Sequence, residues 1–144
     1  SNPDVWWQQN HCGVFRSADG GRHWDDVSQK DAPAFFGFAI AVDPADANTA
    51  WIVPAVSDEY RVAVDRSLCV TRTTDGGKTW TALRNGLPQG TSYDLTYRHA
   101  LDLRGDRLVF GTTTGNLFIS NDRGDTWSCI SHYLPPIYSV RFGA

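Results

Sequence analysis

One stretch of the chain gathers the side-chain types that chemistry needs. Residues 54–67 read Pro-Ala-Val-Ser-Asp-Glu-Tyr-Arg-Val-Ala-Val-Asp-Arg-Ser and hold the only glutamate, Glu59, beside Asp58, Tyr60, Arg61, Asp65 and Arg66. Asp58, Glu59 and Tyr60 are the candidate catalytic groups, because positioned carboxylates and phenols can hold or move a proton. Arg61 and Arg66 are candidate ligand-binding groups, since a guanidinium grips a carboxylate through two parallel N–H donors. Adjacent positions do not by themselves give catalytic separation. A solvated loop whose charges pair with one another is the alternative. Tyr97-Arg98-His99 supplies a second binding candidate in Arg98 and His99; the alternative is Arg98 paired to a nearby Asp and His99 packed. Asn10-His11 and His132-Tyr133 are weaker loop candidates, and Phe35-Phe36 is either a ligand platform or a seal. The three cysteines, Cys12, Cys69 and Cys129, have neither CxxC nor Cys/His metal spacing, so no disulfide framework, metal site or cofactor is expected. No serine-hydrolase elbow, phosphate loop or zinc motif occurs.

The elements that must position these residues follow from composition and repetition. The chain has 144 residues, about one domain, with 41% hydrophobic and 20% charged residues, as soluble globular chains have. A net charge of −3 without a basic stripe excludes an ordinary duplex-binding surface. No apolar run approaches the roughly 18–20 residues of a membrane-spanning helix. No signal or transit sequence is visible, so the compartment stays open. There are 15 Asp to one Glu and 11 Arg to two Lys, with 13 Gly, 7 Pro and 18 aromatic residues. Glu and Lys favour helices and Asp favours turns, so the chain reads as strands joined by tight turns. With no methionine, it is expected to be a fragment, a processed product or a trimmed piece of a longer protein.

Three segments align without gaps. They are Gly13-Val-Phe-Arg-Ser-Ala-Asp-Gly-Gly-Arg-His-Trp24, Cys69-Val-Thr-Arg-Thr-Thr-Asp-Gly-Gly-Lys-Thr-Trp80 and Asn116-Leu-Phe-Ile-Ser-Asn-Asp-Arg-Gly-Asp-Thr-Trp127. The tryptophans lie 56 and 47 residues apart. All-β repeats of about 40–50 residues point to a β-propeller with one four-stranded blade per repeat. Each member of the pattern has a structural task. Asp19, Asp75 and Asp122 can accept backbone N–H bonds within their own turns. Ser17, Thr73 and Ser120 offer a hydroxyl to the same turns, and Gly21, Gly77 and Gly124 supply left-handed backbone. Trp24, Trp80 and Trp127 each bury a large ring over the hairpin.

The octets Ser17–Trp24, Thr73–Trp80 and Ser120–Trp127 resemble the Asp box of the bacterial neuraminidase repeat family, with His23 where the pattern usually has Thr. Within that group the chain most resembles bacterial propellers of the glycosyl hydrolase or exo-α-sialidase kind. The resemblance implies a box in the turn between strands 3 and 4 of each blade, away from the active face. It also implies a parent protein that is a glycoside hydrolase or, alternatively, a non-catalytic scaffold binding a protein or glycan. Sialidases use three arginines, a tyrosine nucleophile assisted by glutamate, and an aspartic acid. Glu59-Tyr60-Arg61 has those types, but the family's Arg-Ile-Pro signature is absent.

Threaded on this frame, residues 1–30 carry strands 2–4 of one blade, 37–84 and 93–131 are full blades, and 137–142 is an inner strand of a further or closing blade. Three blades cannot close a ring, and stable propellers have about 4–8. The expected partners are therefore missing blades of the same chain or a second copy, besides a carbohydrate or protein ligand on the rim of the 2–3 and 4–1 loops. Neither nucleic acid nor a membrane is expected as a partner. From the strand-2 position to the box Asp is 13, 24 and 14 residues, so the middle blade alone carries an insertion, residues 54–67, on that rim.

Overall fold

The computed structural model describes residues 2–143. The chain forms eleven strands: β1 (Trp6–Asn10), β2 (Gly13–Ser17), β3 (Asp25–Asp26), β4 (Gly37–Val42), β5 (Ala50–Pro54), β6 (Val70–Thr73), β7 (Thr81–Leu83), β8 (Leu101–Arg104), β9 (Arg107–Gly111), β10 (Leu117–Ser120) and β11 (Ser128–Ser131). They make three antiparallel sheets, β1-β2-β3, β4-β5-β6-β7 and β8-β9-β10-β11, each a simple meander. Among the described residues the only helical segment is one 3₁₀ turn, Val64–Arg66. This is the all-β architecture of one three-stranded and two four-stranded sheets that the repeat predicts.

The three repeated turns share one hydrogen-bond pattern. In the second, the Thr73 hydroxyl donates to Asp75 Oδ1 (2.9 Å) and accepts from the Gly77 N–H (2.9 Å). The N–H and hydroxyl of Thr79 then donate to the two oxygens of Asp75 at 2.9 and 2.7 Å. In the third, Ser120, Asp122, Gly124 and Thr126 repeat this at 2.5–2.9 Å. In the first, His23 replaces the threonine: its N–H lies 2.9 Å from Asp19 Oδ1 and its ring Nδ1 2.5 Å from Oδ2. Hydrogen bonds to an ionised carboxylate favour the ionised form. The Thr79 hydroxyl and N–H accordingly hold Asp75 at about 2. Thr126 lowers Asp122, and the His23 N–H and ring lower Asp19.

Each turn's tryptophan meets a different neighbour. Trp80, 6% exposed, packs edge-on against Trp7 of the first sheet and donates Nε1–H to Val27 O, just after β3, at 2.9 Å. Trp127, 4% exposed, lies edge-on to Phe110 at 5.0 Å within the cluster between the second and third sheets. Trp24 donates only to Gly21 O of its own turn and stays 39% exposed. The ring is the same; what differs is whether a sheet lies against it.

Arg123 bolts the second and third sheets together. It occupies the left-handed position (φ 61°) where the first two turns have Gly20 and Gly76. Its guanidinium reaches Asp43 Oδ2 at 2.6 Å and Asp106 Oδ1 at 3.4 Å. Its carbonyl accepts from Trp51 Nε1 (2.9 Å) and Arg72 Nη1 (3.1 Å).

Residues 137–142 form a single parallel bridge, His99 to Ser139, instead of a regular strand. They are tied down by the Ile137 N–H on Thr112 O and the Val140 N–H on His99 O, both at 3.0 Å. The first strand of the third sheet begins at Leu101, so Tyr97-Arg98-His99 lie before it in the β7–β8 connection.

Candidate functional site

Three connections on one rim meet at a cavity of about 460 Å³. The β1–β2 turn brings His11 and Cys12. The β3–β4 connection brings Lys30, Phe35 and Phe36. The β5–β6 connection, which contains the insertion, brings Val56, Ser57, Asp58 and Glu59.

The insertion is a closed loop. The Val56 N–H donates to Val62 O (3.0 Å) and the Ser57 N–H to Tyr60 O (3.3 Å). Arg61 donates from Nη2 to Asp58 Oδ1 (2.5 Å) and from Nε to Asp58 O (2.9 Å), which fixes the tip. Its base is sewn to the β7–β8 connection. The Ser92 N–H donates to Arg66 O (2.8 Å), the Leu68 N–H to Pro88 O (3.0 Å), and the Gly90 N–H to the Ser67 hydroxyl (3.0 Å). Asp65 and Arg66 are both left-handed there, with φ 52° and 55°. Non-glycine residues hold that conformation only where the surroundings enforce it. Of Val56, Val62, Ala63 and Val64 only Ala63 is buried, so past Ala55 backbone hydrogen bonds anchor the loop more than packing does.

Across the first and second sheets, Asp58 Oδ2 faces His11 Nδ1 at 3.8 Å. The His11 ring lies 5.7 Å from each of Phe36 and Phe38, which meet edge-on at 5.3 Å. Those two phenylalanines are buried with Ala55 and Leu95, so they seal the floor, while Phe35 and His11 reach the surface. The Arg61 guanidinium sits 5.5 Å over the Phe38 ring. Beyond it opens a second cavity of about 360 Å³, lined by Phe38, Arg61, Tyr97, Arg98, His99 and Tyr138. Tyr97 and Tyr138 stack there, 5.1 Å apart and 6° from parallel.

The candidates from sequence therefore divide. Asp58 and Glu59 line the first cavity, and Arg61, Arg98 and His99 line the second. Tyr60, 71% exposed, and Arg66 line neither. Among the described residues Glu59 and Arg98 form no salt bridge. Asp58 is engaged on both sides, by Arg61 and His11. Phe38 and Tyr138 were not singled out from sequence. Phe38 carries an inward strand position, which is a signal; Tyr138 is brought to Tyr97 by the path of residues 137–142, which carries none.

No protein-family model matches the chain. It is 28% identical over 151 residues to the xyloglucanase Xgh74A of Acetivibrio thermocellus, an alignment covering 90% of the chain. The chain spans about a fifth, 18%, of that relative's length. Among solved structures it is similar to the GH74 xyloglucanase of Xanthomonas campestris, with a TM-score of 0.62, 21% identity, and coverage of 88% of this chain and 19% of that one. It is likewise similar to YCF48 bound to D1 peptide, with a TM-score of 0.62, 17% identity, and coverage of 94% and 40%. The three sheets are thus β-propeller blades, of a fold that serves both a glycan-cleaving enzyme and a peptide-bound protein.

Proposed function

We propose that the chain is a propeller segment that binds a carbohydrate on the rim of its 2–3 and 4–1 loops. In this reading the three repeated turns are Asp boxes, and the blades comprise residues 1–30, 37–84 and 93–131, with 137–142 opening another. The observation that carries the reading is the pair of adjoining rim cavities walled by rings and charged groups. His11, Phe35 and Tyr138 offer accessible rings against which the apolar face of a sugar can lie. Glu59, which forms no ion pair among the described residues, offers a carboxylate to sugar hydroxyls, and Arg61 and Arg98 offer donors. A ligand-binding cleft combines such apolar walls with a few convergent polar groups. The similarity to a xyloglucanase favours a neutral β-glucan with xylosyl branches over a sialoside.

In the parent protein, hydrolysis would need two carboxylates about 5–9.5 Å apart flanking the bond. Asp58 is held by Arg61, so Glu59 is the group we assign to proton transfer, with its partner on another blade. A second reading, a peptide ligand, is favoured by Arg98, His99 and Arg141 grouped on one further cavity, which suits a carboxylate. Calorimetric titration with a xyloglucan oligosaccharide, a sialyl oligosaccharide and a short acidic peptide separates the readings. The proposal expects heat with the first, weakened about tenfold by Glu59→Gln, and none with the sialoside. Binding of the peptide alone, lost in Arg98→Ala, would replace it.

A further inference from the structure

Another rim cavity, about 480 Å³, opens between the β7–β8 connection and the end of β11. Its wall holds Cys129 and His132, which a regular strand would not bring together. Residues three apart on a strand face opposite sides. The β10–β11 ladder is interrupted: Leu117 faces Ser131 but Phe118 faces Cys129, so Ile130 is an extra residue. Such a bulge re-aims the side chains that follow it. Cys129 Sγ lies 3.4 Å from His132 Nδ1 and 3.2 Å from Ser131 O.

The imidazole is oriented from behind. His132 Nδ1 lies 3.0 Å from Asn116 Oδ1, and Asn116 Nδ2 donates to Asp94 Oδ1 at 2.8 Å. With its amide nitrogen spent on a carboxylate, Asn116 presents only an acceptor to the ring, so Nδ1 carries the proton and Nε2 is the basic nitrogen. Asp94 is itself locked. It is 6% exposed and accepts from the Ser92 hydroxyl at 2.5 Å and from the Thr114 hydroxyl. Burial raises it, but the hydrogen bonds from Ser92, Thr114 and Asn116 outweigh burial and keep it below the usual carboxylate range. The series Asp94–Asn116–His132–Cys129 thus aims an N–H at Sγ, from a ring held in place from behind.

We infer that Cys129 is a covalent modification site, a thiol that exchanges with small disulfides admitted to this cavity. In the step, the Cys129 proton is given up to solvent. The thiolate, facing the Nδ1–H, attacks one sulfur of R–S–S–R. A new S–S bond forms at Sγ as the old one breaks, and the departing thiolate takes the proton to leave as RSH. The incoming disulfide is the oxidant: Cys129 is oxidised and half of the small molecule is reduced.

The chain contains its own controls. Cys12 is exposed, Cys69 is buried, and none of the three cysteines is disulfide-bonded. Exposure alone would rank Cys12 first. The folded chain is incubated with oxidised glutathione and adducts are mapped by peptide mass spectrometry over time. The proposal expects Cys129 to be modified at least threefold faster than Cys12, with Cys69 unmodified. In His132→Ala, checked for folding by circular dichroism, the Cys129 rate should fall to or below that of Cys12. In urea the wild-type preference should vanish, which ties it to the fold even where the variant folds poorly. Cys129 reacting no faster than Cys12 in the folded chain, an unchanged preference in urea, or a folded His132→Ala with an unaltered rate would each overturn it.

Discussion

Arg123 shows how much one side chain carries. It holds a backbone conformation that costs an ordinary residue about 1–2 kcal/mol relative to glycine, and it offsets this by pairing with the buried Asp43. Burial pushes the Asp43 carboxyl up, but the Arg123 bond and the Ala45 N–H bring it below its ordinary value. Arg123→Ala should destabilise the chain by about 1–3 kcal/mol, because a buried acceptor loses its partner. Arg123→Gly, which loses the same bond but relieves the backbone, should cost about 1 kcal/mol less. Chemical denaturation of the two variants checks the ordering. The turn aspartates give a pH prediction. Asp75 titrates at about 2 in the folded chain and near 3.9 when unfolded. Its contribution is present above about pH 4 and is lost as pH falls towards 2. Asp75→Asn should be less stable at pH 7, and its melting temperature should fall less steeply between pH 4 and 2 than that of the parent. Equal slopes would place the acid sensitivity elsewhere. At this scale the turn residues were legible in sequence because each repeated turn is closed by bonds within seven residues. Arg123 was not, since a glycine-like position filled by arginine makes sense only once Asp43, 80 residues away, is in place.

At the scale of elements, connections decide where the candidate site stands. The β7–β8 connection supports the insertion, and two of its glycines differ in what surrounds them. Both are left-handed, Gly86 at φ 87° and Gly90 at φ 78°. A Cβ on Gly86 would stand 1.9 Å from Trp127 O, whereas one on Gly90 would meet nothing within 4 Å. Gly90→Ala should therefore cost only the backbone term, about 1–2 kcal/mol. Gly86→Ala should cost visibly more, because the connection must lift off the third sheet. Thermal melts of the pair test this, and equal losses would mean that the close approach is not maintained in solution. The insertion's existence was legible, since one repeat of three is longer between the same landmarks. Its course was not. Tyr60 turns outward because Arg61 folds back on Asp58, and the loop is held by its own blade's next connection instead of by apolar packing on a neighbour. His11 comes within reach of Asp58 through the angle between two sheets, which no local periodicity encodes. The bulge at Ile130 was equally invisible: nothing in Ser-Cys-Ile-Ser-His announces an extra residue.

Across the whole molecule, the repeat made fold class and strand order readable, because three equivalent units must stack in the same way. The same equivalence identifies an open face. Trp80 and Trp127 are covered by the sheet before them, whereas Trp6 is 51% exposed and Trp24 finds only its own turn. Exposed apolar rings of this kind favour association. The isolated chain should show a weight-average mass that rises with concentration in light scattering, and Trp24→Ser should reduce that rise. A chain that stays monomeric with both tryptophans exposed would show that this face is inert.

The central claim is that the rim bounded by the insertion binds a carbohydrate. The most direct measurement is calorimetric titration of the folded chain with the oligosaccharide, repeated for His11→Ala and Glu59→Gln and for Asp31→Asn, a surface change outside the lining of both cavities. The account predicts saturable binding that each rim substitution weakens about tenfold, near 1.4 kcal/mol, while Asp31→Asn leaves it unchanged. Binding that all three variants retain in full, or no binding by the folded chain, would contradict it.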